Sequence, residues 1–247
     1  MRTKLVLLYC SMILLTSGCA VMNTSVLETA QTIEQGKFKF GVETNFGLEL
    51  TSTISAPEDT TKTFDEEGLF MMPIIGIKSG VGITNNLELN GKIWVTSYII
   101  GGGSKVYLKY RLPLSNEKIS LAIAPGFNYI NTETEGETNG NETYSDVQTK
   151  GGELPILFSY HAHENFVFYG AARYSFDYID IRSDENWVFP EELRGTHLLH
   201  RLGLIFGLSI EFQKIYLRSE IGFESAKRIN GDFSTIPILS GGFGFEM

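Results

Sequence analysis

From Phe38 onward the chain alternates. Phe38, Phe40, Val42, Thr44, Phe46, Leu48 and Leu50 fall on one face of an extended segment, and Lys39, Gly41, Glu43, Asn45, Gly47 and Glu49 fall on the other. A helix, with its repeat of 3.6 residues, cannot sort side chains at a period of two. The pattern returns in Val106, Leu108, Tyr110 and Leu112 against Lys105, Tyr107, Lys109 and Arg111. It returns again in Ile119, Leu121, Ile123, Pro125, Phe127 and Tyr129, and in Ile215, Leu217, Ser219, Ile221 and Phe223. Ten candidate strands start near residues 38, 70, 87, 104, 119, 153, 166, 197, 215 and 234, and no helical period follows residue 37. The pattern predicts an all-β chain.

The connections alternate too. Thr84–Asn86, Pro113–Lys118, Ala162–Asn165 and Glu211–Lys214 are short and carry Asn, Pro, Ser or charge at the bend. Longer segments lie near 51–68, 131–150, 180–196 and 225–233, with a brief exception around Gly101–Gly103. An even strand count, short turns at one end and long loops at the other predict a closed antiparallel up-and-down transmembrane β-barrel. Ten strands put both ends of the barrel at the short-turn, periplasmic side. Alternation alone also suits a soluble, lipocalin-like barrel, which buries its apolar face inward. The aromatics favour lipid. Phe38, Phe40, Phe158, Tyr160, Phe166, Phe243 and Phe245 gather at the turn side, and Phe127, Tyr129, Tyr174, Phe176, Tyr178 and Phe223 at the loop side, as two interfacial girdles would.

Charge sharpens the picture. The 247 residues carry a formal net charge of -9, which argues against nucleic acid as a partner. The acidity sits in the long segments: Glu58, Asp59, Asp65, Glu66 and Glu67; Glu133, Glu135, Glu137, Glu142 and Asp146; Asp180, Asp184, Glu185, Glu191 and Glu192. None has the spacing of a calcium loop, so no metal or cofactor is expected. Solvated loops or a site for an extracellular partner are both open, and Trp187–Pro190 could be a contact patch or fold over the barrel mouth. The inward face is nearly balanced. Its cations are Lys39, Lys78, Lys92, Lys105, Lys109, Arg111, Arg173, Arg201 and Arg218, and its anions are Glu43, Glu49, Glu88, Asp177, Glu220, Glu224 and Glu246. Paired charges filling a narrow lumen are expected, because eight strands are already filled by side chains. A small, weakly selective channel is the alternative.

The first segment is for targeting. Arg2 and Lys4 precede an apolar run, Leu5–Leu15, too short to span a bilayer and suited to a secretory signal. Leu15-Thr16-Ser17-Gly18-Cys19 resembles the lipobox of bacterial lipoproteins. That resemblance implies cleavage before a lipid-modified Cys19 and, with Ala20 following, sorting to the outer membrane. Cys10 would leave with the signal, and the mature chain would hold no free thiol. The expected division is 1–18 signal peptide, 19–37 lipidated tether and 38–247 barrel.

Ile83-Thr84-Asn85-Asn86-Leu87-Glu88-Leu89 is similar to hairpins of small bacterial outer-membrane β-barrel proteins, and Ala30–Lys37 to the lead-in of their lipid-anchored members. Leu239-Gly241-Phe243-Phe245-Met247 resembles the terminal signal read by the barrel-insertion machinery, with Met in the last place where Phe is usual. The resemblance implies a fold, an outer-membrane location and contact with its lipid and that machinery. It carries no catalytic motif.

Some such barrels are lipid-modifying enzymes, so the histidines need weighing. Ser159 and His161 share a face, but i and i+2 neighbours stand about 7 Å apart along a strand, beyond hydrogen-bond reach. His197 and His200 lie near a loop end with no nearby Ser, although Asp177 or Glu220 could approach His200 across strands. The expectation is a non-enzymatic envelope component, with a narrow channel and a lipid-modifying enzyme as alternatives. Cys19→Ser should abolish incorporation of labelled fatty acid, and continued labelling of the variant would refute the lipobox.

Overall fold

The computed structural model describes residues 21–23, 25–49, 71–96, 101–138, 141–183, 195–227 and 233–247. The strands are β1 (Val21–Met22), β2 (Phe38–Glu49), β3 (Met71–Thr84), β4 (Leu87–Thr96), β5 (Gly101–Leu112), β6 (Ile119–Ile123), β7 (Gly126–Thr138), β8 (Asn141–His163), β9 (Phe166–Ser183), β10 (Gly195–Phe212), β11 (Ile215–Lys227) and β12 (Phe233–Glu246). β6 and β7 are one strand in two pieces. Their register against β5 and β8 runs unbroken across Ala124-Pro125. The interruption is Pro125, which has no N–H to give to a ladder, although its carbonyl still accepts from Leu108 at 3.0 Å.

With β6 and β7 counted once and β1 set aside, ten antiparallel staves remain. The last closes on the first: β12 pairs with β2 from Glu246↔Lys39 to Ser240↔Asn45. The fold is a closed antiparallel β-barrel, and the four short turns lie where the sequence puts them. The expected loop over 131–150 is corrected. Its residues continue β7 and β8 as a hairpin whose register reaches Thr138↔Asn141. The sequence between those partners is Asn139-Gly140, a strong tight-turn signal, flanked by strand-favouring Thr and Tyr. Acid content concealed it. Residues 51–68, 97–100 and 184–194, with their acids and the Trp187–Pro190 cluster, lie outside the described residues.

Alternation becomes inside and outside. Phe38, Ile75, Ile77, Ile93, Val106, Leu108, Ile156, Leu204, Phe206, Ile221 and Leu239 are exposed on the outer wall, while their strand neighbours are buried. Both expected girdles face outward. Phe40 and Phe245 meet at a ring separation of 5.6 Å near the turn end, and Tyr174, Phe176 and Tyr178 form a column at the loop end. Above Tyr178 the outward positions become polar with Asp180 and Arg182 on β9 and, in register with Tyr178, Lys150 on β8. Inside, the Tyr169 ring lies across Gly207 of the neighbouring strand, where an added Cβ would sit 2.2 Å from it.

A closed barrel of this kind keeps its ladder in SDS until heated. The refolded protein should migrate differently before and after boiling, and identical migration would count against the fold.

Candidate functional site: the lumen and its N-terminal occupant

The segment expected to be a tether is inside the barrel. β1 pairs with the loop end of β2 through Val21↔Glu49 and Met22↔Leu48. From there the chain descends the lumen. Asn23 accepts from Asn45 at 2.8 Å and from Lys92 at 3.0 Å, and the Ser25 hydroxyl accepts from the same two side chains. Lower down, the Ala30 N–H donates to Ser159 at 2.7 Å and the Ile33 N–H to Glu88 at 2.9 Å. At the turn end Thr32 donates to the Asn85 carbonyl and Gly36 N–H to the Gly82 carbonyl. Lys37 then leads into β2.

Two physical requirements explain why this segment stays. Its backbone is not in a ladder, so its buried polar groups need side-chain partners. Glu220 supplies them at the middle, accepting from the consecutive N–H groups of Val26 and Leu27 at 2.8 and 2.7 Å. The Leu27 carbonyl accepts from Lys78 and Arg218 at 2.8 and 3.1 Å. Leu27 is held at φ 44°, an uncommon conformation for a residue with a side chain, and these bonds oppose its relaxation. Apolar packing is the second requirement. Val26 and Ala30 join Tyr107, Ala122, Ala124, Leu157, Ala171, Ile205 and Ile238 in one buried cluster on the lumen wall.

Glu28 is the centre. Its carboxylate is 2 % exposed and lies 3.2 Å from Lys39, 2.9 Å from Lys78, 3.0 Å from Lys109 and 3.8 Å from Arg218, while Tyr107 donates to it at 2.6 Å. Glu88 shares Lys39 and Lys109. Toward the loop end Lys92 pairs with Glu43, and Lys105 with Glu153. Arg201 bridges Asp177, at 2.7 Å, to Glu224, which also holds Arg173, and Asn128 donates to Asp177 at 3.0 Å.

The expected lumen charges Lys39, Glu43, Lys92, Lys109, Arg173, Asp177, Arg201, Arg218 and Glu220 are thus buried inside. Arg111 is corrected to the rim, where it donates to Asn86 at 3.1 Å, and Glu246, paired in register with Lys39, is half-buried at the turn end. Sequence reasoning missed Glu28 and Glu153. Glu28 was assigned to a tether and Glu153 stood at the supposed start of a strand, although the excess of inward cations signalled a missing carboxylate.

Ser159 and His200 each have a partner other than the ones the sequence offered them. Ser159 is fully buried and occupied by Ala30. His200 faces outward, stacked on Tyr174 with its Nδ1 2.8 Å from the phenol, whereas Asp177 and Glu220 face inward. The expected approach of those carboxylates to His200 is therefore excluded by strand parity. Among the described residues no group of three His, Cys, Asp or Glu could hold a metal. Cys19 lies outside the described residues. A cavity of about 70 Å³ remains at the turn end, lined by Lys39, Glu88, Lys109, Lys214, Arg218 and Glu246. Higher up, between Lys92, Trp94, Lys105 and Arg201, about 10 Å³ is free, room for little more than one water.

No protein-family model and no curated protein matches this chain. Among solved structures it is similar to the N-terminal β-barrel domain of OprF from Pseudomonas aeruginosa, at 10 % identity and a TM-score of 0.36, covering 87 % of this chain and 100 % of that one. It is also similar to an outer-membrane channel from Pseudomonas putida F1, at 8 % identity and a TM-score of 0.47, covering 88 % and 98 %. OmpT of Vibrio cholerae aligns at 8 % identity and a TM-score of 0.26, covering 85 % and 98 %. The barrel is assigned from the chain's own strand pairing.

Removing the central charge should weaken the fold strongly. Glu28→Gln strands buried cations, a class of change that costs about 3 to 5 kcal/mol. It should lower the urea midpoint in detergent, whereas Glu34→Gln, in an exposed pair with Lys37, should leave it nearly unchanged.

Proposed function

We propose that the protein is a bacterial outer-membrane β-barrel lipoprotein and a non-enzymatic component of the envelope, closed to solutes in its resting form by its own N-terminal segment. The observation that carries this reading is the pairing of an apolar, aromatic-girdled outer wall with a lumen occupied from end to end. A soluble barrel would have to leave Phe38, Phe127, Phe206, Ile221 and Phe243, each more than half exposed, in water. Hydrocarbon is the solvent that suits them. The interior offers a solute no path wider than the small cavities between the packed charges.

The work then falls to what the barrel displays. At the loop end the β7–β8 hairpin carries Glu133, Glu135, Glu137 and Glu142 beyond the apolar belt. On this reading these acids are for contact with an extracellular partner. A second reading, a gated channel, is supported by the way the occupant is held. Among the described residues, the holds on 23 and 25–36 are hydrogen bonds, ion pairs and packing. Taking Glu28 away with the segment would leave Lys39, Lys78, Lys109 and Arg218 facing the lumen, with Glu88 against Lys39 and Lys109 and Glu211 against Arg218.

Planar-bilayer recording separates the two. The full-length protein should insert silently, and a variant lacking residues 21–36 should conduct in discrete steps with a preference for anions. Steady conductance from the full-length protein would overturn the closed reading.

A further inference from the structure

We infer that the N-terminus is threaded through the barrel, so that Cys19 and the lipid it carries are delivered at the loop end, on the cell-surface side of the outer membrane. This rests on the lipoprotein reading and puts the anchor at the end opposite the short turns, where both ends of the barrel lie. Chain direction carries it. β2 begins at Phe38 at the short-turn end and reaches Glu49 at the loop end. Gly36 is bonded at the turn end, beside Gly82, and Val21 at the loop end, beside Glu49. Between them the contacts climb in order. Ile33 meets Glu88, Glu28 meets Lys39 and Lys78, Ser25 meets Glu43, and Asn23 meets Asn45. The segment does not double back. Only Ala20 lies between Cys19 and Val21, two residue steps with a reach of about 7 Å when extended. That span cannot return an acyl chain through a lumen packed with side chains to the opposite membrane face.

The seam between β2 and β12 gives the lipid its way out. Pairing of β12 with β2 stops at Asn45↔Ser240, and β2 beyond that point pairs with β1 instead. Among the described residues, Phe233–Leu239 of β12 pairs with β11 alone. The N-terminal strand therefore lies against β2 at the loop end, where no other described strand pairs with β2 on that side. Acyl chains on Cys19 can enter the adjacent leaflet there without crossing a ladder.

The segment directly precedes β2, so it can lie in place before β12 closes the ring. Threading therefore asks the assembly machinery to fold the barrel around a chain end and never to pull a lipid through a closed lumen.

The test uses the full-length protein in cells. An epitope is inserted between Ala20 and Val21, with a comparator in the turn at Pro113–Lys118, and acylation is followed with labelled fatty acid. Antibody should stain intact cells for the first insertion and only permeabilised cells for the second. Staining of the first only after permeabilisation, in an acylated and heat-modifiable protein, would overturn threading and leave the lipoprotein reading standing. Surface staining of a chain that takes up no fatty acid would keep threading and remove the lipid. If the insertion blocks assembly, the double variant Ser25→Cys, Asn45→Cys decides instead, because those side chains lie 2.9 Å apart. A disulfide in the folded barrel supports the threaded path, and two free thiols in a folded barrel overturn it.

Discussion

One carboxylate, Glu28, compensates the interior of the turn-end half of the barrel. Lys39, Lys78, Lys109 and Arg218 project inward from four different strands, and each lies within 4 Å of its oxygens. Without it their mutual repulsion would act in a confined, poorly hydrated space, where burying an unpaired charge is far more costly than in water. The anion arrives on a segment that is not part of the barrel wall. The wall's own Glu88 and Glu211 pair with three of these cations, and Glu28 adds the one carboxylate that all four share. Directional bonds add position to that attraction. Glu220 grips two consecutive amides, and Lys78 and Arg218 grip the Leu27 carbonyl that follows them, which sets the height of the segment along the axis.

The wall was legible in the sequence because a period of two leaves a plain trace. Each inward residue from Lys39 to Glu224 follows from parity once its strand is recognised, and the turns announce themselves with Asn, Pro and charge. The occupant was not legible. Val26, Leu27, Glu28, Ala30 and Ile33 have no period, since the chain turns at Leu27 and its amides bond to side chains of distant strands. Only the count of inward charges pointed to an absent carboxylate. The hairpin over 131–150 was hidden for a different reason. Its acids resemble those of a solvated loop, yet strands that extend past the barrel wall need no apolar face, only register, which here runs to Thr138↔Asn141. Histidine roles failed on geometry that sequence distance does not reveal: His200 and Asp177 lie on opposite sides of the wall.

Buried ion pairs give little net stability when measured against apolar packing, but they are unforgiving of error. Arg201, Asp177, Glu224 and Arg173 form a second network toward the loop end, distinct from the one around Glu28. Between the two, apolar cluster residues such as Leu157 and Ile205 meet Val26 and Ala30. Such a lumen admits one arrangement of its occupant. A shift by a single residue would put Leu27 or Thr29 among the lysines and leave Glu28 against alanine and leucine.

The length of β8 has a consequence of its own. At 23 residues it is about twice what a membrane strand requires, and β9 and β10 at 18 support its lower part. From Lys150 at the belt's edge to the hairpin tip is roughly 35 Å along the strand, and about 25 Å in height once barrel tilt is allowed for. That is several screening lengths in physiological salt. In the proposed membrane setting, the hairpin's upper strand pairs would stand electrically clear of the headgroups beneath them.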